Sequence, residues 1–246
     1  MAHILRVSDL FKFHDGGDQS APVLKNVAFH VDEGEFVCVM GPSGSGKSTL
    51  LHLVSGLDQP QAGSIGLRGK DLRKLPEGER TRLRRDAIAH VFQFFNLLGN
   101  LTVLENVGLP LSIAGKRPAL EEPYLRSLLS RVGLEKRTGA FPHQLSGGEM
   151  QRVSIARALA GGQPLILADE PTGNLSQKAG LEVMQLLRRV CDEDRRAILL
   201  VTHNPRDATF ADRVMFLVDG ELSPRVLRGP GIAVSDVHEA LTELAI

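Results

Sequence analysis

A glycine-rich segment that follows a strongly apolar one constrains the fold of this chain more than any other feature. The segment is Gly41-Pro-Ser-Gly-Ser-Gly46-Lys47-Ser48, which fits the pattern G-x-x-x-x-G-K-[ST] in full. It comes directly after residues 34–40, an apolar run that predicts a strand buried on both faces. A helix is predicted over residues 48–55. The order strand, loop, helix is the context in which such a loop binds phosphate groups.

The residue types of this loop suit the phosphates of a nucleotide. Glycines let successive backbone N–H groups turn inward without Cβ clashes, and the following helix directs the positive end of its dipole at the same point. Lys47 would supply a charge to the β- and γ-phosphates, and the Ser48 hydroxyl would ligate Mg²⁺. The strand and helix on either side disfavour the alternative, a structural turn. The predicted nucleotide-binding residues are Gly41, Pro42, Ser43, Gly44, Ser45, Gly46, Lys47, Ser48 and Thr49.

A second apolar run, residues 165–168, ends in two neighbouring carboxylates, Asp169 and Glu170. Because successive side chains of a strand point in opposite directions, one acid can serve a metal ion while the other addresses a different target. We expect Asp169 to bind Mg²⁺ through water, and Glu170 to act as general base or positioner for an attacking water. A solvated turn could have the same Asp-Glu-Pro ending, but the phosphate loop upstream favours the catalytic interpretation.

His203 follows a third predicted strand, residues 197–202. Open α/β folds bind ligands at the carboxyl ends of their strands, where this imidazole could donate a hydrogen bond to a γ-phosphate. A lone histidine at a strand end is more often structural or solvated, and Asn204-Pro205 marks a turn. A catalytic role for His203 therefore depends on the rest of the pattern.

Three stretches of different character divide the chain. Residues 1–95 contain the phosphate loop and short predicted strands, residues 96–162 are mainly helical, and residues 163–246 return to alternating strands and helices. The alternation predicts a parallel sheet with crossover helices, split by the helical stretch. Predicted strands cover 4–7, 10–14, 23–31, 34–40, 165–168, 198–202 and 213–218, and predicted helices cover 48–55, 102–114, 118–132, 147–161, 177–192 and 235–246.

Composition narrows the classes of protein. Lysine plus arginine equals aspartate plus glutamate at 29 each, so nothing points to nucleic acid as a partner. The longest apolar runs are strand-sized and the N-terminus does not read as a secretion signal, so we expect no transmembrane segment and no signal peptide. Cys38 and Cys191 are far apart in apolar or helical contexts, which suits buried, reduced thiols in a cytoplasmic protein.

The most informative motif for the class of protein is the segment Leu145-Ser-Gly-Gly-Glu-Met-Gln-Arg152. By itself it reads as a helix start, with Ser146 and Glu149 forming a capping box. That interpretation leaves Gly147 and Gly148 unexplained, since glycines weaken a helix but permit close approach of a phosphate. The segment resembles the signature motif of ABC ATPases. In that family this helix end binds the γ-phosphate held by the other subunit. The resemblance thus implies that Ser146, Gly147, Gly148 and Glu149 bind nucleotide in a head-to-tail dimer, with a second copy or a paralogue.

Other elements of the family follow in order over nearly the whole chain. Gln93 matches the glutamine loop, which contacts Mg²⁺ and the attacking water, although it also suits a surface glutamine ending a strand. Phe13 stands where an aromatic ring, commonly tyrosine, stacks on adenine, and phenylalanine keeps the ring face. The alternative is a core aromatic, since Phe11 and Phe13 would share one strand face. Nearby, Phe94, Phe95, Leu97 and Leu98 either belong to the core or line a groove for a helix of a membrane partner.

The resemblance implies an α/β P-loop NTPase core of RecA-like type, with an N-terminal antiparallel β-subdomain and an inserted α-helical signature subdomain, in a single ABC ATPase domain over residues 1–246. Its implied ligands are ATP and Mg²⁺. The expected catalytic residues are Lys47, Gln93, Glu170 and His203, and the expected metal ligands are Ser48, Gln93 and Asp169. One departure is Ser176, where the family places an aspartate that links the two sites of the dimer.

Details at residues 92–98, 101–107 and 169–174 resemble the branch that includes the macrolide-exporter, lipoprotein-release and cell-division ATPases. The resemblance implies an ATP-hydrolysing subunit that drives a permease on a separate chain, at the cytoplasmic face of a membrane. A soluble ABC ATPase acting on DNA or ribosomes is the alternative, but it would need coiled-coil arms or two cassettes on one chain, and neither is visible. A P-loop kinase or GTPase would have no use for the segment at 145–151 or for His203.

Overall fold

The computed structural model describes residues 3–13 and 22–245, which form two β-sheets and their covering helices. The strands are β1 (His3–Phe13), β2 (Pro22–Asp32), β3 (Phe36–Met40), β4 (Ala62–Leu67), β5 (Lys70–Asp71), β6 (Ile88–Val91), β7 (Leu165–Asp169), β8 (Ala197–Thr202), β9 (Arg213–Val218) and β10 (Glu221–Arg228). The helices are α1 (Lys47–Val54), α2 (Glu77–Ala87), α3 (Val103–Ile113), α4 (Glu122–Arg131), α5 (Gly147–Ala160), α6 (Gln177–Asp194), α7 (Pro205–Ala208) and α8 (Val234–Glu243).

The smaller sheet has the strand order β2-β1-β4-β5, and all of its pairings are antiparallel. It confirms the expected antiparallel β-subdomain. The sequence predicted two strands in this region, but β1 is one continuous strand. Asp9, between the two predicted strands, adopts a φ of 50°, and the register shifts beside it. A bulge of this kind bends a strand without ending it. His14, predicted as a strand end, lies outside the described residues, as does Ile246 of the predicted terminal helix.

The larger sheet has the order β10-β9-β3-β8-β7-β6, and it is parallel except for the edge pair of β9 with β10. This confirms the predicted parallel sheet. Met40 pairs with Thr202 and Asp169 pairs with Val201, so the carboxyl ends of β3, β8 and β7 lie side by side. Open α/β sheets bind ligands at this edge.

Alternate residues of the central strands pack into two separate cores, one on each face of the larger sheet. Val37 and Val39 of β3 pack with α1 and the smaller sheet, whereas Cys38 and Met40 pack with α5 and α6. Both faces are covered, which explains why the strand is apolar at every position. Cys38 and Cys191 are buried free thiols, as expected.

Helices α3, α4 and α5 lie between β6 and β7 in the chain and confirm the inserted helical segment. The helix predicted over 118–132 begins as a 3-10 turn at Pro118–Glu121 and continues as α4. The sequence prediction missed β4, β5, α2, β6, α7 and β10. Within residues 3–13 and 22–245, no helix combines the length and hydrophobicity needed to cross a membrane.

Candidate active site

The phosphate cradle, which we define as residues 41–49, joins β3 to α1 at the carboxyl edge of the larger sheet. Two of its glycines are required by close contacts. A Cβ on Gly41 would lie 2.2 Å from the carbonyl oxygen of Leu217, and Gly46 has a φ of 102° with its missing Cβ 2.7 Å from Leu24 Cδ2. The backbone of the cradle is thus pressed against β9 and β2, and the loop turns straight into the N-terminus of α1.

Lys47 is buried at the base of the cradle, where its Nζ donates to the carbonyl oxygens of Gly41 and Pro42, each at 2.8 Å. Burial lowers the pKa of Lys47, and the charges of Glu170 and Asp169 act in the opposite direction. These two carboxylates therefore lie near the ammonium group. Ser45 Oγ is buried with no hydrogen-bond partner among the described residues. A buried ammonium and an unpaired hydroxyl suit a bound phosphate.

Glu170 and His203 form a direct pair, with Glu170 Oε1 2.8 Å from His203 Nδ1. Glu170 Oε2 accepts a hydrogen bond of 3.2 Å from the hydroxyl of Thr202. Glu170 itself has a φ of 44°, and its N–H donates to the carbonyl oxygen of Val201 at 3.0 Å. Such left-handed backbone is uncommon outside glycine and concentrates at functional sites. The two catalytic residues predicted from separate strand ends are thus adjacent.

Asp169, the last residue of β7, lies beside this pair. Its pKa is raised, mainly by burial and then by the charge of Glu170. A divalent cation would relieve both effects, so the site chemistry fits Mg²⁺. Ser48 is exposed at the start of α1 and can supply a second oxygen.

Gln93 follows β6 and lies against the loop after Glu170. The missing Cβ of Gly173 would be 2.7 Å from Gln93 Nε2, and Asn174 Nδ2 donates to the carbonyl oxygen of Gln93 at 3.1 Å. Gln151, which the sequence analysis did not single out as a functional residue, is fully buried between the same segments. Its Nε2 donates to the carbonyl oxygens of Phe92 and Pro171 at 3.2 and 2.8 Å. Helix α5 thereby fixes the distance between the glutamine loop, which we define as residues 92–96, and the loop that carries Glu170.

Arg157 is a second residue that sequence reasoning missed. Phe95 and Asn96 have φ values of 60° and 50°, and the Arg157 guanidinium donates to their carbonyl oxygens at 2.8 and 2.5 Å. Burial lowers the pKa of Arg157. In the sequence Arg157 reads as an ordinary polar residue of a helix. It gives no signal for such a role, because its targets are backbone atoms about sixty residues away.

The α5 tip, which we define as residues 146–149, has the expected capping box. Ser146 Oγ accepts from the N–H of Glu149 at 3.3 Å, and the N–H of Ser146 donates to Glu149 Oε2 at 2.9 Å. Ser146 is exposed, beside an open depression formed with residues 174–176 and α6. The close packing of Gly148, whose missing Cβ would lie 3.0 Å from Ala179 Cβ, gives this glycine a packing role that the sequence did not indicate.

The remaining predictions concern residues outside the phosphate cradle and the Glu170 loop. Phe13 ends β1, and its N–H donates to Gln61 Oε1 at 3.2 Å, so nothing in this contact tests stacking on adenine. Phe94 is 72% exposed, whereas Leu97 packs against the core. A separate β6–α3 depression is lined by His90, Phe92, Asn96, Leu109, Pro110 and Ile113, together with side chains of α5 and its flanks.

Comparisons with known proteins agree with this arrangement. A family model described as ABC transporter matches residues 24–173. The lipoprotein-releasing system ATP-binding protein LolD 2 of Caulobacter vibrioides is 49% identical over 82% of this chain and 88% of its own length. The macrolide export ATP-binding/permease protein MacB of Marinobacter nauticus is 45% identical over 89% of this chain, but only 34% of its own length is covered.

Among solved structures, the cassette MJ0796 of Methanocaldococcus jannaschii was determined as a dimer in a post-hydrolysis state bound to ADP and Pi. It matches with a TM-score of 0.82 and 41% identity, covering 93% of this chain and 100% of that one. The predicted resemblance to macrolide-export and lipoprotein-release proteins is therefore confirmed. With the family model spanning residues 24–173 of 246, the chain belongs to the ABC transporter family and is one of its ATP-binding, ATP-hydrolysing chains.

Proposed function

We propose that this chain works as a pair of copies, closing around ATP to drive a permease carried on a separate polypeptide. One observation supports the pairing: the two elements of the chain that we predict to bind phosphate are in different places. The phosphate cradle lies at the carboxyl edge of the larger sheet, whereas the exposed α5 tip borders residues 174–176 and α6. In a head-to-tail pair, the α5 tip of one copy would meet the phosphate cradle of the other.

Within each site, Lys47 and the cradle N–H groups hold the phosphates, and Glu170 orients the attacking water and accepts its proton. His203 holds the carboxylate of Glu170 and is exposed on its other side, where it can reach a γ-phosphate. The residues that would hold Mg²⁺ are Ser48, Gln93 and Asp169. When bound there, the ion would neutralise charge on the phosphates.

The β6–α3 depression is our proposed docking surface for the permease. Its residues include Phe92, Pro110 and Ile113, and the last of these is 64% exposed. It lies next to the glutamine loop, so a permease that displaced these residues would also displace Gln93. The LolD 2 relative, 88% of whose length is matched, is named as the ATP-binding protein of a lipoprotein-releasing system, which supports a permease on a separate chain. Such a partner would place the chain at the cytoplasmic face of a membrane.

The Glu170→Gln variant tests the proposed pairing. Without the carboxylate, ATP binds but is not hydrolysed, so the closed pair accumulates. Size-exclusion chromatography with Mg²⁺ and ATP should show a dimer, and the same protein without nucleotide a monomer. The matched control is the double variant Lys47→Ala/Glu170→Gln, which should stay monomeric with ATP. A Glu170→Gln protein that remains monomeric while binding ATP would contradict the scheme.

A further inference from the structure

Asp207 is a buried carboxylate that the mechanism above does not use. It belongs to α7, the single turn that follows His203, and it is only 4% exposed. A buried acid must have hydrogen-bond partners or it destabilises the fold. The partners of Asp207 show which parts of the site it connects.

Both carboxylate oxygens of Asp207 accept hydrogen bonds from the two catalytic loops. Thr172, two residues after Glu170, donates its hydroxyl to Oδ2 at 2.5 Å, and Asn204, next to His203, donates its Nδ2 to Oδ1 at 3.1 Å. The loop that carries Glu170 is thereby tied to the loop that carries His203. Both contacts are charge-assisted when Asp207 is ionised, and such bonds are the stronger ones.

Thr202 extends this connection to Glu170 itself. Its hydroxyl lies 3.2 Å from Glu170 Oε2 and 3.4 Å from Asp207 Oδ2. A hydroxyl has one hydrogen, so it can donate fully to only one of these carboxylates at a time. Thr202 is completely buried, which excludes a bulk water as a substitute donor.

We infer that Asp207 is a positioning residue for ATP hydrolysis. Through Thr172, Asn204 and Thr202 it fixes the positions of the Glu170 and His203 loops relative to each other. This rests on the proposed roles of Glu170 and His203. The side-chain hydrogen bonds of Asp207 go to Thr172, Thr202 and Asn204, none of which is an expected metal ligand. Its hydrogen bonds determine where the Glu170 carboxylate points and how strongly Thr202 holds it, so loss of Asp207 should slow hydrolysis while leaving nucleotide binding intact.

Protonation of Asp207 should weaken this connection. Burial is the main cause that raises the pKa of Asp207 to about 6; the charge of Glu170 acts in the same direction, and the Thr172 hydrogen bond and the nearby His203 oppose it. From β3 below, the Cys38 thiol faces the same carboxylate, and Lys178 and Arg206 line the adjoining cavity. A protonated Asp207 has lost the negative charge that strengthens both acceptor contacts, so hydrolysis should fall as the pH drops through about 6.

The test compares Asp207→Asn, Thr172→Val and Thr172→Ser with wild type, using Asp86→Asn as the control for removal of an exposed aspartate. Asparagine matches the shape of aspartate but sets an N–H₂ group against donors. We expect Asp207→Asn and Thr172→Val to keep the Kd and KM for ATP within about twofold and to lower kcat about tenfold or more. Thr172→Ser keeps the hydroxyl and should restore most of kcat. The acid-side loss of kcat with a midpoint near 6 should be absent in Asp207→Asn.

Two results would overturn the inference. One is an Asp207→Asn protein with the kcat and pH profile of wild type. The other is an equal loss of kcat in Thr172→Val and Thr172→Ser, since the hydroxyl would then be irrelevant; this pair decides the matter even if Asp207→Asn misfolds. Failure of the proposed function itself would look different, because wild type would then show no magnesium-dependent hydrolysis of ATP.

Discussion

The pKa of Asp207 connects the chemistry of a single residue to the stability of the fold. It rises from 3.8 to about 6 on folding, mainly through burial. The folded state then binds the proton more tightly than the unfolded state, so the free energy of unfolding falls as the pH rises through this window. At about 1.4 kcal/mol per pH unit, the ionised Asp207 destabilises the fold by about 3 kcal/mol above pH 6.

Asp207→Asn should therefore gain stability relative to wild type as the pH increases. Because the amide does not titrate, the difference in free energy of unfolding between variant and wild type should be about 1.4 kcal/mol more favourable at pH 8 than at pH 5. Urea denaturation at both pH values, with Asp86→Asn as the control, measures it. A difference that is constant with pH, or that shrinks toward pH 8, would show that Asp207 is not buried as a carboxylate.

Ser176 takes the place of an aspartate that the family resemblance implies at this position. Its hydroxyl accepts from the N–H of Ala179 at 3.4 Å and caps α6. Aspartate caps a helix as well as serine does, so Ser176→Asp should leave thermal stability unchanged. If the position links the two sites of a pair, the variant should change the rate of ATP hydrolysis and its cooperativity in ATP. Unchanged turnover and cooperativity would count against a coupling role.

At this scale the sequence predicts the residues that lie in fixed local motifs. Glu170 stands directly after a strand, Lys47 begins helix α1 at the end of the phosphate cradle, and Ser146 caps a helix start, so their positions follow from chain order. Gln151 and Arg157 could not be predicted in the same way. Their partners are carbonyl oxygens of other segments, and only the tertiary structure shows which carbonyls lie within reach.

The glutamine loop is an element held in an unfavourable conformation by a distant helix. Arg157 of α5 donates from two different guanidinium nitrogens to the carbonyls of two residues that have positive φ. Lysine has all its donors on one nitrogen of a differently shaped side chain, so we expect Arg157→Lys to lose at least one of these bonds. Arg157→Lys should therefore destabilise the fold by about 1 to 3 kcal/mol and open this loop locally. Chymotrypsin should cleave after the exposed Phe94 faster than in wild type. Arg189→Lys, at an exposed position of α6, is the control, and equal cleavage in both variants would contradict the assignment.

The elements that the sequence predicted well have strong apolar patterns. β3, β7 and β8 are buried on both faces, and each appears as an unbroken apolar run. The missed elements have weak patterns for physical reasons. β4 contains two glycines, and α2 is largely exposed and charged, with Ala87 as its one buried residue. Their structure depends on contacts with neighbours rather than on their own burial.

For the whole molecule, the parallel order of β3, β8 and β7 explains why distant motifs meet. Strand register brings the cradle, the Glu170 loop and His203 to one edge, and the helical insertion then places α5 behind them. The sequence indicated a parallel sheet but could not give the strand order, because several crossovers fit the same alternation. Ser146 of the α5 tip is exposed, and in the proposed pair a second copy brings this tip to a phosphate.

Mixing two inactive variants tests this central claim most directly. Lys47→Ala removes the charge of the cradle, and Ser146→Arg blocks the exposed α5 tip; each protein alone should hydrolyse almost no ATP. In a mixed pair, one site joins an intact cradle to an intact α5 tip, so a one-to-one mixture should regain about a quarter of wild-type activity if pairing is random and the sites are independent. A mixture that stays inactive, or a Ser146→Arg protein that alone hydrolyses ATP at the wild-type rate, would contradict a site shared between two copies.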